Sequence, residues 1–135
     1  MALVYAFLAE GLEEVECLAT ADVLTRAGVH VKLISITGKK EVRGSHGFSI
    51  RADALLEETD PDRADVLFLP GGMPGTKHLM ECGPLCDALV RAHGAGKRLA
   101  AICAAPSVLG RLGLLKDKKA TCYPGFEDSL AGAKL

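Results

Sequence analysis

The first 36 residues constrain the fold more than any other part of the chain. Ala2 to Leu8 run almost without polar interruption, the pattern of a strand buried on both faces, as in a parallel sheet. Gly11 breaks the run, and from Glu13 to Ala27 the period turns helical. Glu13, Glu14 and Glu16 crowd the first turn, where the helix dipole favours acids, and Val15, Leu18, Ala19, Val23 and Ala27 share one face. Arg26 and Gly28 supply the last-turn cation and the closing glycine. Val29 to Ile36 (VHVKLISI) then alternates and is rich in branched residues, so it reads as a second strand. Strand, helix and strand over this span make a βαβ unit, whose crossover is right-handed.

The rest of the chain extends the same alternation. Gly38-Lys39-Lys40 is a turn, and Glu41 to Ile50 reads as a peripheral hairpin with His46 on its surface. After the turn Asp60-Pro61-Asp62, Asp65 to Leu69 (DVLFL) is a central strand that stops at Pro70-Gly71-Gly72. Pro84 to His93 fits a helix closed by Gly94 and Gly96. Arg98 to Ile102 is a short strand running directly into Cys103, and Pro106 opens a helix that reaches Gly113. Lys119 to Cys122 reads as one more strand, and Glu127 to Ala131 as the start of a helix. Residues 1–135 are expected to form a single α/β domain.

Composition narrows the function. Sixteen Lys and Arg against seventeen Asp and Glu give a net charge of -1, and aromatics are 4% with no Trp. Neither phosphate backbones, anionic lipid nor stacked bases are favoured, so nucleic acid and membrane partners are not expected. No apolar run approaches the roughly 18 residues of a membrane span. The apolar start lacks a basic flank and meets Glu10 at once, unlike a cleaved signal. Five scattered cysteines (Cys17, Cys82, Cys86, Cys103, Cys122) suit reduced thiols in a cytoplasmic setting rather than a disulfide framework. Cys82 and Cys86 lack the companions of a zinc site, and no metal is expected.

Two strand ends carry the chemistry. Gly71 and Gly72 follow a buried strand, either as a plain tight turn or as a place where backbone N–H groups approach a ligand unobstructed by a Cβ. Cys103 sits on a strand-to-helix turn in AAICAAP. A nucleophile there projects its reactive atom away from the backbone while the next amide faces a developing oxyanion, and the helix N-terminus would lower the thiol pKa. The alternative is a small inert core cysteine. Glu16 lies one turn into the first helix, on its inner side with Ala19, whereas Glu13 and Glu14 read as dipole contacts. The carboxyl ends of parallel strands share one crevice, which can bring Glu16, Gly72 and Cys103 together.

On these residues the chain resembles the DJ-1/ThiJ/PfpI superfamily, in its DJ-1 branch. LAEGLEEVE, ADVLTRAG, DVLFLPGGMPG, AAICAAPSVLG and KATCYPGFED carry the resemblance in order along essentially the whole chain. It implies a flavodoxin-like, doubly wound sandwich with a mostly parallel sheet, as in class I glutamine amidotransferases. It also implies a homodimer with the first helix near the interface. By resemblance Cys103 corresponds to the oxidation-sensitive nucleophile and Glu16 to the acid that hydrogen-bonds it. Gly72 and Ala104 correspond to the oxyanion amides, with Gly71 and Tyr123 beside the pocket. Arg26 and His46 fall near positions that reach the mouth of the site across the dimer. The family's histidine is missing: Ala104 follows the cysteine, Tyr123 stands at the later position, and His30, His46, His78 and His93 do not match.

The resemblance implies a cofactor-independent glyoxalase III-like enzyme, converting methylglyoxal or glyoxal to a 2-hydroxy acid in carbonyl or oxidative stress. The alternative is a non-catalytic redox sensor or chaperone built on an oxidisable Cys103. A PfpI-like cysteine peptidase or amidase is a third reading, weakened by the absent histidine. The sequence stops at AGAKL, before the family's usual SRGPGT-like loop and closing helix. The expectation is a domain incomplete at its C-terminus, whose cover comes from a separate C-terminal fragment or another partner.

Overall fold

The computed structural model describes residues 2–135. Its centre is a five-stranded parallel sheet in the order β5-β2-β1-β6-β7, formed by β1 (Leu3–Leu8), β2 (His30–Ser35), β5 (Ala54–Leu55), β6 (Val66–Leu69) and β7 (Arg98–Ala101). β3 (Glu41–Arg43) and β4 (Ser49–Arg51) form a separate antiparallel hairpin. β1 pairs with β2 from Leu3↔His30 to Leu8↔Ser35 and with β6 from Val4↔Val66 to Ala6↔Phe68.

Alternation along the strands sorts the core into two layers. Tyr5, Phe7, Leu67 and Leu69 face α2 (Gly75–Glu81), α3 (Gly83–Gly94) and α4 (Pro106–Arg111), meeting Leu79, Leu85, Leu89 and Val108. Val4, Ala6, Leu8 and Phe68 face the other way, onto Leu12 and Cys17 around α1 (Glu14–Arg26) and Val42 and Ile50 of the hairpin. Helices therefore cover both faces, as a doubly wound sheet requires.

Four expectations change. The apolar stripe of α1 does not face the sheet: Val15 is 68% and Val23 63% exposed, Leu18 and Ala19 are exposed too, and Cys17 and Glu14 are buried instead. Lys119 to Cys122 is not a strand; Lys119 makes one isolated parallel bridge to Lys134. The segment from Glu127 is a short 3-10 turn, Glu127–Ser129. Helix α2 and strand β5 stand where no element is expected. Among the described residues no helix is long and apolar enough to cross a membrane.

Candidate active site around Cys103

Three chain segments meet at the carboxyl ends of β1, β6 and β7. The loop after β1 enters α1 with Glu13 as N-cap, whose Oε2 accepts from the Glu16 N–H at 3.1 Å. The Glu13 N–H in turn donates to the Gly71 carbonyl at 2.9 Å, tying the start of α1 to the turn after β6. That turn returns a bond: the Gly71 N–H donates to Glu16 Oε1 at 3.0 Å. A half-buried carboxylate thus has one oxygen fixed by a backbone amide, which sets its aim.

Glycine is required at both positions of the turn. A Cβ on Gly71 would lie 2.5 Å from Glu16 Oε1, 2.7 Å from the Cys103 Cβ and 2.8 Å from the Ile102 carbonyl. Gly72 has φ +93°, and its Cβ would run into the Glu13 amide.

Cys103 follows β7 with φ 63°, a left-handed conformation that costs an L-residue about 1–2 kcal/mol. Its carbonyl accepts from the Tyr123 N–H at 2.7 Å, and the Ala105 N–H donates to the Ile102 carbonyl at 3.0 Å. Buried Ser107 donates its hydroxyl to the Ala104 carbonyl at 2.6 Å. These bonds brace the turn from both sides and hold the thiol out from the backbone, half-exposed.

The electrostatics of the thiol differ from the expected helix effect. Burial pushes the Cys103 pKa up, and the hydrogen bond to Glu16 and the charge of Glu16 push it further. The N–H groups of Ala104 and Gly72 pull it down without reversing the sign. The direction is up rather than the expected lowering, because burial first and the Glu16 carboxyl second outweigh the two amides. The same contacts place Glu16 and the amides of Gly72 and Ala104 around one sulfur.

The other candidates lie farther out. Tyr123 bonds the Cys103 carbonyl only through its backbone; its ring is exposed and meets Phe126 edge-on at 6.5 Å. Arg26 is ten positions beyond Glu16 on α1, about 15 Å along its axis, and pairs with Asp22 at 3.1 Å. His46 sits on the hairpin turn, its Nδ1 3.3 Å from Glu13 Oε1 and 3.2 Å from Glu14 Oε1. None of these three side chains joins the cluster within one chain.

Glu14 is the residue sequence reasoning undervalued. It is only 7% exposed and accepts from the backbone N–H groups of His46 and Phe48, so it organises the hairpin turn rather than merely meeting a dipole. Desolvation raises its pKa, but hydrogen bonds from its own, the Phe48 and the His46 amides and from the His46 ring outweigh that and hold it below the usual range. Glu13, Glu14 and His46 bring three ligand-type atoms within 4.8 Å of one another, yet these carboxylates already serve backbone amides. The only advance signal of this role was an acid immediately before a helical stripe and a glycine-rich hairpin.

A parallel α/β sandwich with a cysteine on a strained turn, an acid against its sulfur and two amides facing it defines a class of cysteine-centred α/β proteins. The model of the DJ-1/PfpI family matches residues 2–135, and the chain belongs to that family. It is 40% identical over 125 residues to Protein DJ-1 homolog B of Arabidopsis thaliana, covering 92% of this chain and 28% of that protein. Deglycase PfpI of Pyrococcus furiosus is 33% identical over 126 residues, covering 93% of this chain and 74% of the relative. The structure of oxidized Toxoplasma gondii DJ-1 superposes with TM-score 0.92 at 36% identity, covering 96% of this chain and 71% of that one. This chain thus spans less than a third of the Arabidopsis protein and about three quarters of the Pyrococcus one.

Proposed function

We propose that the protein acts on small reactive carbonyls through Cys103, converting methylglyoxal or glyoxal to the 2-hydroxy acid with water and no cofactor. The observation that carries this reading is the convergence of Glu16, the Gly72 amide and the Ala104 amide on one thiol. A relative bearing the name deglycase fits carbonyl chemistry. In this mechanism the sulfur adds to the aldehyde carbon while its proton passes to Glu16, and the two amides hold the developing oxyanion. Glu16 returns that proton to the oxyanion, giving a hemithioacetal. As a carboxylate again, it takes the proton from the former aldehyde carbon and delivers it to the neighbouring carbon, while the hydroxyl proton passes to the neighbour's oxygen. This leaves a thioester that water hydrolyses to the hydroxy acid and free thiol.

The test is lactate formation from methylglyoxal by the parent chain, Cys103→Ser and Glu16→Gln. Turnover by the parent that is lost in both variants supports the reading. A parent that forms no lactate refutes it.

One observation favours a second reading, redox sensing. Cys103 is a half-exposed thiol with the Glu16 carboxyl beside it, and a similar solved protein is described as oxidized. Under this reading peroxide converts Cys103 to a sulfinate held by Glu16, and the parent protein turns over no carbonyl. A peptidase mechanism has less support: His78 Nδ1 bonds the Glu10 carbonyl and His46 bonds Glu13 and Glu14, so neither serves the thiol. We also propose a homodimer through the outward apolar face of α1, because Val15, Leu18 and Val23 stand exposed there and Phe48 is exposed on the hairpin.

A further inference from the structure

Glutamate is an uncommon residue for opening a helix: Ser, Thr, Asp and Asn, whose short side chains fold back on the first turn, are preferred there. Helix α1 nevertheless opens on Glu13, which caps it from φ -85° and ψ 116° by accepting the Glu16 N–H. The amide held in this way belongs to the residue whose carboxyl faces Cys103. The longer side chain of Glu13 carries its second oxygen, Oε1, to 3.3 Å from His46 Nδ1 on the hairpin turn, a reach that a shorter cap lacks. Its backbone N–H donates to the Gly71 carbonyl at 2.9 Å, and its carbonyl accepts the Cys17 N–H at 3.2 Å. Gly72 packs against the Glu13 backbone so closely that a Cβ there would strike it. Glu13 thus joins the hairpin, the Gly71-Gly72 turn and the first turn of α1, and it belongs to neither core cluster. Among the described residues the Glu16 carboxyl has one backbone donor, the Gly71 N–H at 3.0 Å, so its direction depends on where its own backbone is held.

We propose that Glu13 is a positioning residue for the thiol site: by holding the Glu16 amide on one oxygen and leaning the other on His46, it aims the Glu16 carboxyl at Cys103. Glu13 takes no part in the proton transfers themselves. The kinetic consequence rests on the carbonyl reading above, whereas the consequence for the thiol does not.

The experiment takes two readings on the full chain: the midpoint pH of Cys103 alkylation by iodoacetamide, followed by peptide mass spectrometry, and kcat and KM for lactate formation from methylglyoxal. Glu13→Ala frees the Glu16 amide, so the carboxyl that helps push the thiol up swings off the sulfur. The midpoint should move to lower pH, in the direction of Glu16→Gln, and kcat should fall about tenfold with KM little changed. Glu13→Gln keeps an acceptor of the same length and should restore most of both. Asp60→Ala removes a comparable cap, the Asp62 N–H bond at 3.1 Å, from the turn Pro61–Arg63 before β6, at the opposite end of that strand from Gly71. It should keep the parental midpoint. A parent that forms no lactate but whose midpoint moves in Glu13→Ala loses the carbonyl reading and keeps this one. A parental midpoint in Glu13→Ala, an equal shift in Asp60→Ala, a Glu13→Gln chain no better than Glu13→Ala, or a Glu13→Ala chain without a cooperative thermal transition would each overturn the assignment.

Discussion

Gly71→Ala tests the site geometry with one methyl group. The added Cβ would stand 2.5 Å from Glu16 Oε1 and 2.7 Å from the Cys103 Cβ, against roughly 3.4 Å or more for ordinary nonbonded contacts. One or both neighbours must therefore retreat by about 0.7–0.9 Å, the scale on which misplacement near reacting atoms costs on the order of 100-fold in rate. Backbone on the third side, the Ile102 carbonyl at 2.8 Å, blocks the methyl from moving away. Overpacking of this kind costs about 1–3 kcal/mol, or a fall in Tm of roughly 4–12 °C for a domain of this size. Lactate production from methylglyoxal and thermal unfolding by circular dichroism read the two effects separately. Gly83→Ala is the control, since a Cβ there meets nothing within 4 Å, and it should match the parent in both assays. A Gly71→Ala chain with parental turnover and Tm would refute the account of the turn, because it would mean Glu16 and Cys103 are not held against it.

Other substitutions probe the remaining contacts. Glu16→Gln removes the charge that helps push the Cys103 thiol up, so the midpoint of its pH-dependent alkylation by iodoacetamide should move to lower pH; an unchanged midpoint would separate Glu16 from the sulfur. Glu14 has its pKa held below the ordinary carboxylate value, so its stabilising effect is present above that ordinary value and is lost as pH falls through the lowered one. Glu14→Ala should speed hydrogen exchange at the His46 and Phe48 amides, which donate to it at 3.0 and 3.1 Å, and should flatten the acid limb of the stability profile. Cys17 is pushed up to about 12 by burial, so the chain should lose stability above about pH 8.5, where an unfolded thiol ionises first; Cys17→Ala should reduce that slope. Val23→Asp should give a monomer by light scattering where the parent is a dimer, and a parent that is already monomeric would remove the proposed α1 interface.

The central strands were legible because a parallel sheet buried on both faces writes itself as apolar runs, and LVYAFL and VLFL are such runs; β5, two residues at the edge of the sheet, is too short to carry such a signal. Helix α3 was legible from Leu85, Ala88, Leu89 and Ala92, all buried at helical spacing. Helix α2 was not, because GTKHLME offers only Leu79 as a fully buried large apolar residue and begins directly behind a glycine-rich turn. The orientation of α1 was hidden for the opposite reason. Its apolar stripe is real, but periodicity reports that a face is apolar and not what covers it. In the site, the turn carrying Cys103 and the acid at 16 could be named from local pattern and resemblance. The bond from the Gly71 N–H to Glu16 joins residues 55 apart, and no local pattern encodes such a contact.

The conformation at Cys103 shows how those distant contacts serve the thiol. Its left-handed backbone is unfavourable by about 1–2 kcal/mol, and hydrogen bonds from Tyr123 and through Ser107 hold the turn in place. Aiming the sulfur at Glu16 rather than at a histidine has a chemical consequence. A histidine partner would stabilise a thiolate, whereas burial and the carboxylate beside Cys103 push its thiol pKa up. Such a pair can pass a proton from sulfur to carboxylate as the carbon–sulfur bond forms, on to the oxyanion of the adduct, and back to sulfur only when water cleaves the thioester. The missing family histidine then leaves no gap in the proposed carbonyl chemistry, because the two amides supply the oxyanion contacts and one acid supplies each proton transfer.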